Sequence, residues 1–188
     1  MKLKIALIGP PNGGKTTIAN FLSDATDNSG NEYRATQGVR IVEFESYLNI
    51  NNRSLKVDIE LWDCGGNKKF EKCWPACYKD ANGVIFVYDP VSEVQISELD
   101  YYYDHFVLQS GIQQSNCIVV SYSRQPTSKS SAQLGNQFSR MTKITANIEE
   151  DGNKLRTHFN NYISGIINRV HDTTEREELK IINIPFGP

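Results

Sequence analysis

Apolar residues along this chain change period repeatedly, and each change marks an element. Leu3, Ile5, Ala6, Leu7 and Ile8 form a short apolar run that reads as a strand. Ile18, Phe21 and Leu22 then recur at helical spacing. Ser23 to Glu32 is polar and rich in Asn, Asp and Gly, which reads as a loop. Val39, Ile41, Phe44 and Leu48 alternate imperfectly, whereas Leu55, Val57, Ile59 and Leu61 alternate cleanly. Asn51-Asn52 between these runs is a hairpin signal, so the two strands should pair antiparallel. Gly83–Tyr88 and Cys117–Val120 are unbroken apolar runs, as expected of strands buried on both faces. Ile96, Leu99, Tyr103, Phe106 and Val107 between them mark a helix. Leu134, Phe138 and Met141 suggest a short helix, and Thr142–Ala146 a last strand. Leu155, Phe159, Tyr162, Ile163, Ile166, Ile167 and Val170 mark a long helix. This alternation predicts an α/β fold: a doubly wound, mostly parallel sheet of about six strands with helices on both faces.

The loop after the first strand carries the first chemistry. Gly9-Pro10-Pro11-Asn12-Gly13-Gly14-Lys15-Thr16 fits G-x-x-x-x-G-K-[ST], between a predicted strand and a predicted helix. Such a loop wraps phosphate, with the helix N-terminus supplying free N–H groups and partial positive charge. Asn12, Gly13, Gly14, Lys15, Thr16 and Thr17 are its candidate nucleotide contacts. Lys15 would reach the β- and γ-phosphates, and the Thr16 hydroxyl would ligate Mg²⁺. Pro10 and Pro11 have no N–H, so this loop offers fewer donors than a glycine-rich one.

Composition changes this picture little. The chain has 188 residues, 39% hydrophobic and 22% charged, which suits one globular domain. A formal net charge of -2 gives no electrostatic case for nucleic acid. The N-terminal apolar run is too short for a signal peptide or membrane span, so a cytoplasmic protein with reduced cysteines is expected. Cys73 and Cys77 stand four apart, either as a metal clip or as small buried hydrophobes. No lipidation motif is seen, so no direct membrane anchor is expected.

A phosphate loop alone does not separate kinase, ATPase and GTPase. Trp62-Asp63-Cys64-Gly65-Gly66-Asn67 ends the cleanly alternating strand. Asp63 there can hold Mg²⁺ through water, and Gly66 can offer its N–H to a γ-phosphate. Thr36-Gln37-Gly38 precedes the second strand, and Thr36 is either a third Mg²⁺ ligand or a solvated loop threonine. Lys15-Thr16, Thr36 and Asp63-x-x-Gly66, in this order, resemble the Ras-like small GTPases, the Rab type in particular. The resemblance covers roughly residues 3–170. It implies a small G-domain over 1–170, GTP/GDP and Mg²⁺ as cofactors, a first switch at Tyr33 and Thr36-x-Gly38-Val39, and a second at Trp62-Asp63-x-x-Gly66. It also makes Ala146, in Thr145-Ala146-Asn147, the candidate whose N–H meets the guanine O6.

Two departures qualify the resemblance. The family's water-positioning Gln falls on Asn67, whose amide sits about 1.5 Å short, and misplacement near 1 Å costs on the order of 10²-fold. Asn67 is thus a weak catalytic candidate beside Lys15. The base-reading Asn-Lys-x-Asp is absent: the chain reads Ser121-Tyr122-Ser123-Arg124-Gln125, with no carboxylate for the guanine edge. Losing two charge-assisted bonds costs roughly 1.5–3 kcal/mol each. Tyr122 either stacks on a base or is an ordinary surface or core tyrosine. Arg34 is either an arginine finger in cis or a solvated loop residue.

Within the family, the pattern is most similar to the Rab-like 5 type of subunit in the intraflagellar transport B complex. That likeness implies docking on the coiled-coil subunits of that complex, a place in cytoplasm and cilium or flagellum, and a monomer outside it. Residues 171–188 form a tail, charged then apolar, that either frays, folds back or docks a partner. Tyr101-Tyr102-Tyr103 exceed what one buried face needs, so one or two are candidates to face a partner. Three readings follow: a nucleotide-dependent binding module with slow GTP hydrolysis, a pseudo-GTPase structural subunit, and an ATP-using small-molecule kinase. Thr36 and the second-switch motif argue against the kinase.

Overall fold

A computed structural model describes residues 1–25, 34–50, 52–123 and 133–182, with side chains as far as Asp172. The elements run β1 (Lys2–Ile8), α1 (Lys15–Leu22), β2 (Val39–Ile50), β3 (Arg53–Cys64), α2 (Trp74–Tyr78), β4 (Gly83–Tyr88), α3 (Glu93–Tyr103), β5 (Cys117–Tyr122), β6 (Thr142–Ala146) and α4 (Ile148–Ile182). The six strands form one sheet in the order β2-β3-β1-β4-β5-β6. Only β2 and β3 pair antiparallel, in a register that sets Ile50 opposite Arg53. That leaves two residues for the turn, and Asn52 takes the positive φ (62°) such a hairpin needs. Asn51 itself lies outside the described residues.

Strand alternation sorts the core into two layers. Leu3, Ile5 and Leu7 of β1 face α1 and α4, packing with Ile18, Leu22, Phe159, Ile163 and Ile166. Ala6 and Ile8 face the other way, with Trp74 of α2 and Leu99, Tyr102 and Tyr103 of α3. The imperfect pattern of β2 has the same cause. Phe44 and Leu48 pack on the first layer, whereas Ile41 points out and is exposed. β2 is an edge strand with one covered face, so only half its positions need to be apolar.

Several expectations need correction. The helix through Leu134, Phe138 and Met141 is a single 3₁₀ turn, Asn136–Phe138. Gly135 and Asn136 are poor helix formers, and burial of Phe138 and Met141 needs no more than a turn. Of the Cys73/Cys77 pair, only Cys77 is buried; Cys73 is exposed on the turn preceding α2. No cluster of His, Cys, Asp or Glu suited to a metal occurs among the described residues. Tyr102 and Tyr103 are both buried, which leaves the half-buried Tyr101 as the candidate of the three to face a partner. α3 passes into one turn of π-helix, Asp104–Leu108, in which Phe106 and Val107 are buried. α4 is broken by non-helical backbone at Asp151 (φ −148°, ψ 49°) and continues beyond residue 170 to Ile182. Among the described residues no helix is long and apolar enough to cross a membrane.

Candidate nucleotide site

The parallel strands end together at one edge, where β1 delivers the phosphate loop to α1. Ligands of such sheets sit at these carboxyl ends. Pro10 supplies a carbonyl in place of the N–H it lacks: it accepts from Gly13 N at 3.3 Å and from Lys15 Nζ at 2.7 Å. Lys15 Nζ also donates to the Gly9 carbonyl at 2.8 Å. An ammonium has three donors, so this pair fixes the lysine over the loop and leaves one for a phosphate. The side chain is buried, and that burial lowers its pKa to about 8, with Asp63 opposing. Added phosphate charge would favour the ammonium further.

Gly14 caps α1 with φ 91°, in the left-handed region. No side chain caps this N-terminus and no acidic residue lies in its first turn, so its N–H groups suit an anion. A Cβ at Gly14 would overlap the Tyr122 ring. Tyr122 is thus a core residue packed beneath the loop, 8% exposed, rather than a free stacking platform. Asn12 has φ 63° at the exposed tip, and Thr17 lies in the first turn of α1.

Thr16, Thr36 and Asp63 converge from α1, the segment before β2 and the end of β3. Thr16 Oγ1 donates to Asp63 Oδ2 at 2.7 Å and lies 3.0 Å from Thr36 Oγ1, which is 3.3 Å from the same carboxylate oxygen. Adjacent ligands of an octahedral Mg²⁺ with bonds near 2.1 Å stand about 3.0 Å apart, so these oxygens have the spacing and hardness the ion prefers. Asp63 Oδ1 is buried without a hydrogen-bond partner. Burial raises the Asp63 pKa, against the pull of Thr16 and Lys15. A hard cation or its water would relieve both features. When bound there, Mg²⁺ would neutralise β- and γ-phosphate oxygens.

The two switch segments meet over this cluster. Gly65 N donates to the Gly38 carbonyl at 2.7 Å. A Cβ on Gly66 would lie 2.7 Å from Lys15 Nζ and 2.7 Å from the Pro10 carbonyl carbon, so only glycine lets this backbone rest on the phosphate loop. Asn67 is exposed, and its side-chain oxygen accepts from Lys69 N at 3.0 Å, capping the turn Lys68–Cys73. In that pose its side-chain oxygen serves the turn. Arg34 is exposed, and Tyr33, Arg124 and Gln125 lie outside the described residues. Ala146 is buried at the end of β6, paired with Tyr122 of β5, and its carbonyl accepts from Ser123 N at 3.3 Å. It stands three strands from β1, about 14 Å across the sheet, a span that suits the far end of a nucleotide. Lys15, Thr16, Thr36, Asp63 and Gly66 are therefore brought together, with Ala146 set apart from them.

Known proteins share this sequence and fold. Residues 4–125 match the family model described as Ras of Complex, Roc, domain of DAPkinase. The chain is 40% identical over 184 residues to the intraflagellar transport protein 22 homolog of Danio rerio, covering 96% of this chain and 98% of that one. It is 37% identical to the Homo sapiens homolog over 185 residues, with 97% and 99% covered. Among solved structures, the T. brucei IFT22/74/81 GTP-bound crystal structure superposes with TM-score 0.72 at 24% identity, covering 92% of this chain and 99% of that one. The T. brucei IFT22 GDP-bound structure gives TM-score 0.65 at 20% identity, covering 91% and 99%. A family model over residues 4–125 and relatives 37–40% identical over nearly the full length show the family: the chain belongs to the Ras-like small GTPases, among the homologues of intraflagellar transport protein 22 (Rab-like 5).

Proposed function

We propose that this protein binds GTP and GDP with Mg²⁺ and serves intraflagellar transport as a nucleotide-dependent binding module with slow intrinsic hydrolysis. One observation carries the reading: Thr16 and Lys15 of the phosphate loop, Thr36 of the first switch and Asp63 and Gly66 of the second form one partly buried cluster. A γ-phosphate and its Mg²⁺ would touch all three segments at once and order the surface they form. The solved T. brucei relative in an IFT22/74/81 complex supports a partner within the transport B complex, here its coiled-coil subunits. The places proposed are the cytoplasm and the cilium or flagellum, with a monomer outside the complex.

Calorimetry with GTP, GDP and ATP, with and without Mg²⁺, tests the site. Micromolar or tighter GTP binding that weakens without Mg²⁺, with ATP much weaker, is expected. Thr16→Asn then tests the coupling, since it removes the hydroxyl that bonds Asp63 and puts a longer amide in its place. It should weaken capture of the coiled-coil partner at least about tenfold, a difference of about 1.4 kcal/mol. Unchanged capture would favour the second reading, a pseudo-GTPase structural subunit. Two observations speak for that alternative: Tyr122 and Ser123 stand where the base-reading residues would be, and Asn67 is engaged as a cap.

Hydrolysis offers a separate check. Asn67→Gln restores the reach of the amide and should raise the single-turnover GTPase rate by about tenfold or more. It also exchanges a good N-cap for a poor one, at a cost of about 1 kcal/mol. A rate at or below wild type would show that the side chain at 67 does not position the water.

A further inference from the structure

Two buried aromatic side chains behind the second switch have no part in the reading so far. Trp74, in α2, donates its indole Nε1–H to the Gly65 carbonyl at 3.3 Å. Tyr102, in α3, donates its hydroxyl to the Gly66 carbonyl at 2.6 Å. Both residues are 0% exposed. They hold two successive carbonyls of the stretch that lies on the phosphate loop.

A planar trans peptide ties these bonds to the site. The Gly65 carbonyl and the Gly66 N–H belong to one peptide unit and point in opposite directions. With the carbonyl drawn to the indole, the Gly66 N–H must point away from it. A Cβ on Gly66 would meanwhile run into Gly9, Pro10 and Lys15, so the residue lies close against them. The Tyr102 bond fixes the next peptide unit, so the glycine is held on both sides.

The holders are themselves held. The Trp74 ring lies 5.3 Å from that of Tyr102, 5.6 Å from that of Phe106 and 5.2 Å from that of His105. Tyr101 donates to Glu71, and His105 Nε2 lies 3.2 Å from Glu71 Oε1, which ties the turn after Asn67 to the same helix. The indole therefore cannot swing away without disturbing α3.

We propose that Trp74 and Tyr102 are positioning residues for γ-phosphate recognition: their bonds to the Gly65 and Gly66 carbonyls aim the Gly66 N–H at the phosphate loop. The inference rests on the reading that this site holds GTP. A donor aimed in advance needs no reorganisation when the γ-phosphate arrives, so its benefit falls on GTP and not on GDP.

Trp74→Phe keeps an aromatic ring and removes the indole donor; Tyr102→Phe removes only a hydroxyl. GTPγS and GDP are titrated calorimetrically into the full-length wild type and each variant with Mg²⁺, and thermal unfolding checks the fold. For each variant we expect a GTPγS Kd weakened about tenfold and a GDP Kd within about twofold of wild type, as for one well-aimed hydrogen bond. If Trp74→Phe does not fold, Tyr102→Phe carries the test alone. Equal weakening of both nucleotides would reduce the pair to a structural role and overturn the proposal, as would unchanged GTPγS binding in folded variants. A wild type that binds GDP but shows no preference for GTPγS would also overturn it, while leaving nucleotide binding intact. A wild type that binds neither nucleotide removes the site reading and the inference with it.

Discussion

Lys15→Ala should weaken GTP and GDP binding by at least about 100-fold, equivalent to about 2.8 kcal/mol. Two of the three ammonium donors are already committed to the Gly9 and Pro10 carbonyls. The third is therefore directed rather than free to wander, and a single charge-assisted hydrogen bond contributes about 1.5–3 kcal/mol before any longer-range attraction. The nucleotide-free variant should nevertheless fold. Burial already lowers the pKa of this lysine to about 8, so removing the charge relieves a desolvation cost while two carbonyl bonds are lost. Loss of binding with an unfolding midpoint close to wild type is the expected signature. Equal affinity in the two proteins would mean that this loop does not hold phosphate.

The largest stability effect in the loop should come from Gly14→Ala. At φ 91° a side chain pays roughly 1–2 kcal/mol for the left-handed conformation, and the new Cβ would collide with the Tyr122 ring. Overpacking of this kind costs typically 1–3 kcal/mol more. A combined loss of about 2–5 kcal/mol is a large part of the stability of an ordinary domain. Denaturant unfolding measures it. A Tyr122→Ala background separates the two causes, because it removes the ring but not the backbone strain. There the same substitution should cost only the strain, about 1–2 kcal/mol. An undiminished cost in that background would show that Tyr122 does not support the loop.

These two predictions differ in how visible they were from the chain. Lys15 stands in a motif eight residues long, and its role follows from neighbours a few positions away. The partner of Gly14 is more than a hundred residues distant, and nothing near Tyr122 signals that its ring fills the space beneath a glycine. Ile41 shows the same divide within one strand. It carries the apolar character of a core residue, yet only the edge position of β2 decides that it is exposed. Of the three tyrosines of α3, Tyr102 and Tyr103 are buried and Tyr101 is not, a division that the packing of the helix decides and the run of three does not show. Trp74 carried no signal in the sequence, and Tyr102 only that of one of three tyrosines in a row. No pattern along the chain shows that an indole 9 residues away and a hydroxyl 36 residues away close on the Gly65 and Gly66 carbonyls.

By itself, the sequence determined the alternation of strands and helices, the phosphate loop, and the identity of the residues that meet at the site. Those features depend on short-range chemistry: strand and helix periodicity, a glycine turn, and a lysine and threonine at the start of a helix. Tertiary structure alone decided that Thr16, Thr36 and Asp63, separated by 20, 27 and 47 positions, place their oxygens within 3.3 Å of one another. It also decided that Tyr122 lies under the loop and that Asn67 caps its own turn. The reason is physical. Local pattern sets which face of each element is apolar, but contacts between distant side chains depend on register and packing across the sheet, which no short window of sequence contains.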